Sequence, residues 1–186
     1  KGGGTDDLIQ SQIKYNKSII YLQSYRSFFK SIYYSIFNIK NKNNVGAYPK
    51  ESKILKEKYL IFLIKFLTIL KNKHNIKAFI GFSFAYFAEK DLQRACSQIK
   101  LPFLLLLKES VVTEFEKKYY IYSLKKTNEK FNGYKIAVYS NLAKKFLTES
   151  KYVNKNKVKI VGCSRLEESF SFKNKSPKNQ IIYYAI

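Results

Sequence analysis

Leu101-Pro102-Phe103-Leu104-Leu105-Leu106-Leu107, followed by Lys108-Glu109-Ser110, is a run of strand length that is apolar on both alternating faces. Such a run suits a strand in a parallel sheet, where both faces are covered; Leu-rich runs also occur in buried helices, so the neighbouring segments decide between the two. Upstream, Ala78-Phe79-Ile80-Gly81-Phe82 is a second short apolar run, and a helical stretch from about Ala85 to Gln98 separates the pair. Downstream, Val111 to about Phe131 is mostly helical in pattern, Asn132-Gly133 turns the chain, and Lys135-Ile136-Ala137-Val138-Tyr139 reads as a third strand. Asn141 caps a helix to about Thr148, and Val158-Lys159-Ile160-Val161 is a fourth strand. The alternation predicts an α/β chain: a Rossmann-like parallel sheet joined by right-handed crossovers, with helices on both faces.

Ahead of this region the period is helical. Leu8, Ile9, Ile13, Ile19, Ile20 and Leu22, then Phe28, Phe29, Ile32, Tyr33 and Ile36, recur every three to four residues between Asp7 and about Lys40. After a polar loop with Gly46 and Pro49, Glu51 to Lys73 forms another helix whose lysine-rich carboxyl end suits the helix dipole. The organisation is therefore residues 1–76 as a helical amino-terminal part, 77–170 as the sheet domain, and 171–186 as a connecting segment. Lys1-Gly2-Gly3-Gly4-Thr5-Asp6-Asp7 has neither an initiator Met nor the apolar core of a secretory signal, and Gln180-Ile181-Ile182-Tyr183-Tyr184-Ala185-Ile186 is a strand-like run with nothing after it. Truncation at both ends is the expectation.

Composition narrows the function classes. The chain has 186 residues, 46% hydrophobic and 17% aromatic, which excludes a disordered polypeptide. Its 35 Lys plus Arg against 13 Asp plus Glu give a formal charge of +22, but Arg26, Arg94 and Arg165 are the sole arginines, and the lysines are spread over every segment. Abundant Lys, Ile, Asn, Tyr and Phe fit an AT-rich coding bias, and no arginine-rich arm, zinc finger or RNA-binding aromatic signature accompanies them. A solvated basic surface is the favoured reading, and a nucleic-acid partner the disfavoured one. Cys96 and Cys163 stand in unlike contexts beside one His, His74, so neither a disulfide framework nor a zinc pattern arises, no metal site is expected, and a reducing, cytoplasmic compartment is. No segment reaches the roughly 20 apolar residues of a membrane span.

In open parallel sheets ligands bind beyond the carboxyl ends of the strands. Here those ends lead into Gly81, Lys108, Ser140 and Gly162. Gly81 and Ser83 let a substrate approach the backbone, or else Gly81 serves a tight strand-to-helix turn. Lys108 and Glu109 form an ion pair after a buried strand, with Glu109 available as a general base; an exposed loop pair has the same sequence. Ser140 to Lys144 reads first as a capped helix start and second as an anion site. Gly162 precedes Arg165, a side chain able to grip phosphate or carboxylate with two hydrogen bonds. His74 reads as solvated surface, Cys96 as a small core residue and Cys163 as a buried turn residue. No Ser/His/Asp arrangement or phosphate-cradling glycine loop is present.

Ile136-Ala137-Val138-Tyr139-Ser140-Asn141-Leu142-Ala143-Lys144, a helix, and then Lys157-Val158-Lys159-Ile160-Val161-Gly162-Cys163-Ser164-Arg165-Leu166-Glu167 resembles the end of the amino-terminal domain in GT-B glycosyltransferases of bacterial surface polysaccharide synthesis. CDP-glycerol glycerophosphotransferases that build teichoic acids are similar there. Ser164 stands where Pro is usual in the motif, and Glu167 where Asp is usual. Lys100 to Glu109 also resembles the strand and loop that precede it. The resemblance implies the amino-terminal, acceptor-binding half of a GT-B architecture, with residues 171–186 leading into the first strand of a donor domain. It implies a glycosyltransferase that needs no metal, because helix amino termini and basic residues stabilise the leaving phosphate, and no cofactor, because the nucleotide-sugar donor is itself a substrate, and a fragment inactive alone. The strand ends make Glu109 the candidate catalytic residue and Ser83, Lys108, Ser140, Gly162 and Arg165 the candidate substrate-binding residues, of which Ser140, Gly162 and Arg165 fall on the motif that carries the resemblance. The acceptor is a polysaccharide or lipid-linked molecule, and the lysine-rich surface would hold the enzyme at the anionic inner face of the plasma membrane. Glycerol phosphate transfer and catalysis-free nucleic-acid binding are the two other readings.

Overall fold

The structure, a computed structural model, describes residues 25–37, 53–84, 87–107 and 112–162. Helices α1 (Tyr25–Ile36) and α2 (Lys53–His74) precede the sheet region, in which β1 (Phe79–Gly81), α3 (Phe87–Gln98), β2 (Phe103–Leu106), α4 (Glu114–Thr127), β3 (Lys135–Val138), α5 (Asn141–Glu149) and β4 (Val158–Ile160) alternate. A short 3-10 turn, Lys155–Lys157, leads into β4. The strands form one parallel sheet in the order β1-β2-β3-β4. The predicted α/β, Rossmann-like parallel sheet flanked by helices is thus the observed architecture.

Side chains alternate across it as a period of two requires. Phe103, Leu105, Ile136, Val138 and Val158 are buried on one face and join a core with residues of all five helices. Ile80, Leu104, Leu106 and Ala137 on the other face are half-buried and stand outside that core. The strand order explains the asymmetry. Successive right-handed crossovers that each add the next strand on the same side place every connecting helix on one face. Among the described residues the helices therefore cover one face, where alternation alone predicted both.

Tyr59, Leu63 and Leu67, four apart, with Leu60 three before Leu63, form the buried stripe of α2. It lies against α3, whose Ala95 and Cys96 are fully buried and small enough for close helix approach. Aromatic rings fill the space between α1, α2 and β1: Tyr33 and Tyr59 meet edge to face at 5.2 Å, as do Phe29 and Phe66 at 5.7 Å. Phe79 and Phe103, register partners on adjacent strands, stack at 5.9 Å. The amino-terminal helices and the sheet thus share one core.

Helix ends follow local chemistry. Thr113 caps α4 in a reciprocal box with Glu116. Helices α2 to α5 are followed by left-handed residues that are not glycine: Asn75, Lys100, Asn128 and Lys151, with φ of 52°, 52°, 50° and 60°. A chain with seven glycines uses Asn and Lys where glycine is the usual solution. No helix of the described residues is long and apolar enough to cross a membrane.

Candidate functional site

The carboxyl ends of the strands deliver residues 82–84, Leu107, 139–140 and 161–162 to one rim. With neighbouring strands about 4.8 Å apart, β1 and β4 are separated by roughly 14 Å, so the rim is wide enough for a sugar-sized molecule. Ser140 and Gly162 follow adjacent strands, while Ser83 lies two strands from Ser140. Within the described sheet the order never reverses, so the rim has no topological switch point, where α/β sheets usually open a crevice.

Ser83 is buried and its backbone N–H donates to Glu89 Oε2 at 2.7 Å. Glu89 lies in the first turn of α3, where the helix dipole favours a carboxylate. That carboxylate ties the β1–α3 loop down, and the Ser83 amide is committed to it instead of facing outward. Gly81 is not a turn glycine. It is the last residue of β1, and a Cβ there would lie 2.5 Å from Phe103 Cζ, so close ring packing demands the glycine.

Ser140 is the N-cap of α5, with its hydroxyl accepting from the Ala143 amide at 3.1 Å. The expected cap at Asn141 is corrected by one residue: Ser140 has the extended backbone a cap needs, and Asn141 is already helical. An anion at this helix start would have to displace the Ser140 hydroxyl. After β4, Val161 donates to Val138 O at 2.9 Å and the ladder ends. Gly162 follows with φ of +71° and open space where a Cβ would be, so its requirement is conformational. Lys108, Glu109, Cys163 and Arg165 lie outside the described residues, as do residues 171–186.

Two acidic residues that the sequence reading passed over organise this part of the chain. Glu89 is one. The other is Asp91, buried on α3 and held by Arg94 Nη1 at 3.3 Å, with Glu57 of α2 3.8 Å from the same guanidinium. Burial first, and then the charge of Asp91, push the hydroxyls of Tyr33 and Tyr59 above the ordinary tyrosine range. Burial likewise raises Tyr152, with Glu129 adding to the rise and a hydrogen bond to Gln93 opposing it. Cys96 is pushed up to about 12 by burial, which keeps it a thiol and not a nucleophile. His74 ends α2 exposed. No group of three His, Cys, Asp or Glu side chains among the described residues is placed to hold a metal.

At the opposite rim, where α2 and α3 end, a cleft of about 500 Å³ is lined by Lys71, Asn75, Lys77, Lys100 and Pro102 among others. Lys71 Nζ donates to Ile99 O at 2.8 Å, so that lysine satisfies a carbonyl at the end of α3.

No family model, no curated protein and no solved structure matches this chain.

Proposed function

We propose that this chain is the acceptor-binding part of a GT-B glycosyltransferase that moves a sugar from a nucleotide donor to a polysaccharide or lipid-linked acceptor. One observation carries the reading: four consecutive parallel strands open on one rim, and the last exits through a left-handed Gly162 three residues before Arg165. In the proposed reaction Glu109 takes the proton of an acceptor hydroxyl as its oxygen bonds to the anomeric carbon. The bond from that carbon to the nucleotide diphosphate breaks, and the diphosphate leaves with the electron pair. Lys108 and Arg165 offset negative charge on acceptor or donor. Ser83 and Ser140 shape the rim through the loop and helix they fix, and a second Rossmann-like domain supplies the donor site.

The test uses the complete open reading frame. Purified protein is offered nucleotide sugars and CDP-glycerol in parallel, with nucleotide release and product mass as readouts. Turnover of a nucleotide sugar that drops at least about a hundredfold in Glu109→Gln, with the fold retained, is the expected result. Turnover of CDP-glycerol alone would reassign the chain to glycerol phosphate transfer. Absence of turnover together with steeply salt-dependent oligonucleotide binding would replace catalysis with nucleic-acid binding.

A further inference from the structure

Helix α4 is apolar on two opposite sides. Tyr120, Ile121 and Leu124 pack toward the core, with Tyr120 stacked on Phe146 of α5 at 5.1 Å. On the far side Phe115, Tyr119 and Tyr122 are 83%, 66% and 66% exposed. Their spacing of four and three residues aligns them in one stripe about 10 Å long. Core packing explains the first set only. Large apolar groups that stand together in water, backed by a rigid helix, mark a surface that meets something else.

The charges beside the stripe identify the partner. Lys118, Lys125 and Lys126 flank or continue it, are exposed, and make no ion pair among the described residues. Lys117, on the core side, is bound to Glu149 at 3.1 Å, and Glu116 is held by Thr113, leaving Glu114 as the other exposed acid at the amino end. An exposed helix with aromatic rings on one line and lysines alongside fits a boundary that is apolar within and anionic at its surface. Tyrosine suits that boundary because its ring is apolar and its hydroxyl stays wet. A single-stranded nucleic acid is a poorer match: stacking platforms sit in grooves that track the backbone, whereas this face is the convex outside of a helix that carries no arginine.

We infer that α4 docks this protein on anionic lipid bilayers through Phe115, Tyr119 and Tyr122, with Lys118, Lys125 and Lys126 at the headgroups. The inference stands independently of sugar transfer. The helix lies in the plane of the interface and does not span it.

The chain contains no tryptophan, so Phe115→Trp introduces a single reporter. The protein is mixed with vesicles of phosphatidylcholine alone, and with vesicles of phosphatidylcholine and phosphatidylglycerol. Expected are co-sedimentation with the anionic vesicles only, a blue shift of the reporter, and quenching by lipids brominated on their acyl chains. The triple substitution Phe115→Ser, Tyr119→Ser, Tyr122→Ser should weaken binding at least about tenfold with an unchanged melting temperature, and Lys118→Glu, Lys125→Glu, Lys126→Glu about a hundredfold or more. Unweakened binding by the Ser variant, or a reporter neither shifted nor quenched, overturns the inference. So does a protein that ignores both vesicles but binds oligo-dT through the same aromatic residues, which would make the stripe a stacking platform.

Discussion

The backbone amide of Ser83 and the carboxylate of Glu89, six residues apart and on opposite sides of a strand-to-helix loop, meet at 2.7 Å. This contact fixes the first loop of the rim before any ligand arrives. Glu89→Ala strips a part-buried donor of its acceptor and should cost about 1–2 kcal/mol in urea unfolding. Glu89→Gln keeps an acceptor oxygen and should recover most of it. Hydrogen exchange at Ser83 checks the mechanism: faster exchange in Ala and near-native exchange in Gln are expected, and equal rates would remove the role assigned to the carboxylate.

Gly81→Ala places a methyl group 2.5 Å from Phe103 Cζ. Phe103 is buried and stacked on Phe79, so it cannot yield freely. A loss of about 1–3 kcal/mol is expected. Combining the change with Phe103→Leu should cost less than the sum of the single variants, and strict additivity in the double-mutant cycle would show that the ring is not the obstacle.

Ser140→Ala removes the acceptor for the Ala143 amide and should cost about 1 kcal/mol, whereas Ser140→Asp should be close to neutral. If the proposed sugar transfer holds, both should leave turnover near that of the wild type. A large loss of turnover in Ser140→Asp, with stability retained, would instead give the hydroxyl a direct part in substrate binding.

Glu116 is held below the usual carboxylate range, first by the Thr113 backbone N–H and then by the Thr113 hydroxyl. A depressed folded-state value contributes stability above the unfolded-state pKa and loses it as pH falls through the folded value. Thermal scans from neutral to acid pH should therefore show a steeper acid-side decline in the wild type than in Glu116→Gln. Parallel curves would mean that the capping box is not populated in solution.

Lys151 and Lys100 occupy left-handed backbone with exposed side chains. Replacing either with Gly relieves the Cβ conflict while adding unfolded-state freedom, for a net gain of about 0.5–1 kcal/mol. Lower melting temperatures in both variants would contradict the assignment of these helix ends.

Much of this arrangement is written locally. The run at Phe103 to Leu106 and its partners at Phe79, Lys135 and Val158 announce strands because they are short and alternate with longer helical segments, although an apolar run alone would also suit a buried helix. The α4 start was also readable, since Thr113-Glu114-Phe115-Glu116 has a capping-box spacing, and the expected start at Val111 lies two residues ahead of that cap. Ser140 and Asn141 are both good caps, and only backbone geometry separates them. Glu89 and Asp91 were illegible for another reason. The partner of Glu89 is a loop amide whose approach depends on how α3 meets the sheet, whereas Asp91 pairs with Arg94 one turn on in the same helix, and what the sequence hides there is the burial of Asp91. The one-sided helix layer depends on strand order, which alternation alone does not encode.

That strand order also governs assembly. Each described β-strand after the first pairs with the one synthesised just before it, so within the described sheet no strand waits for a distant segment to close a gap. Accretion at a single advancing edge keeps loop-closure entropy small at every step and lets a ribosome-bound chain lay down its layers in the order they emerge.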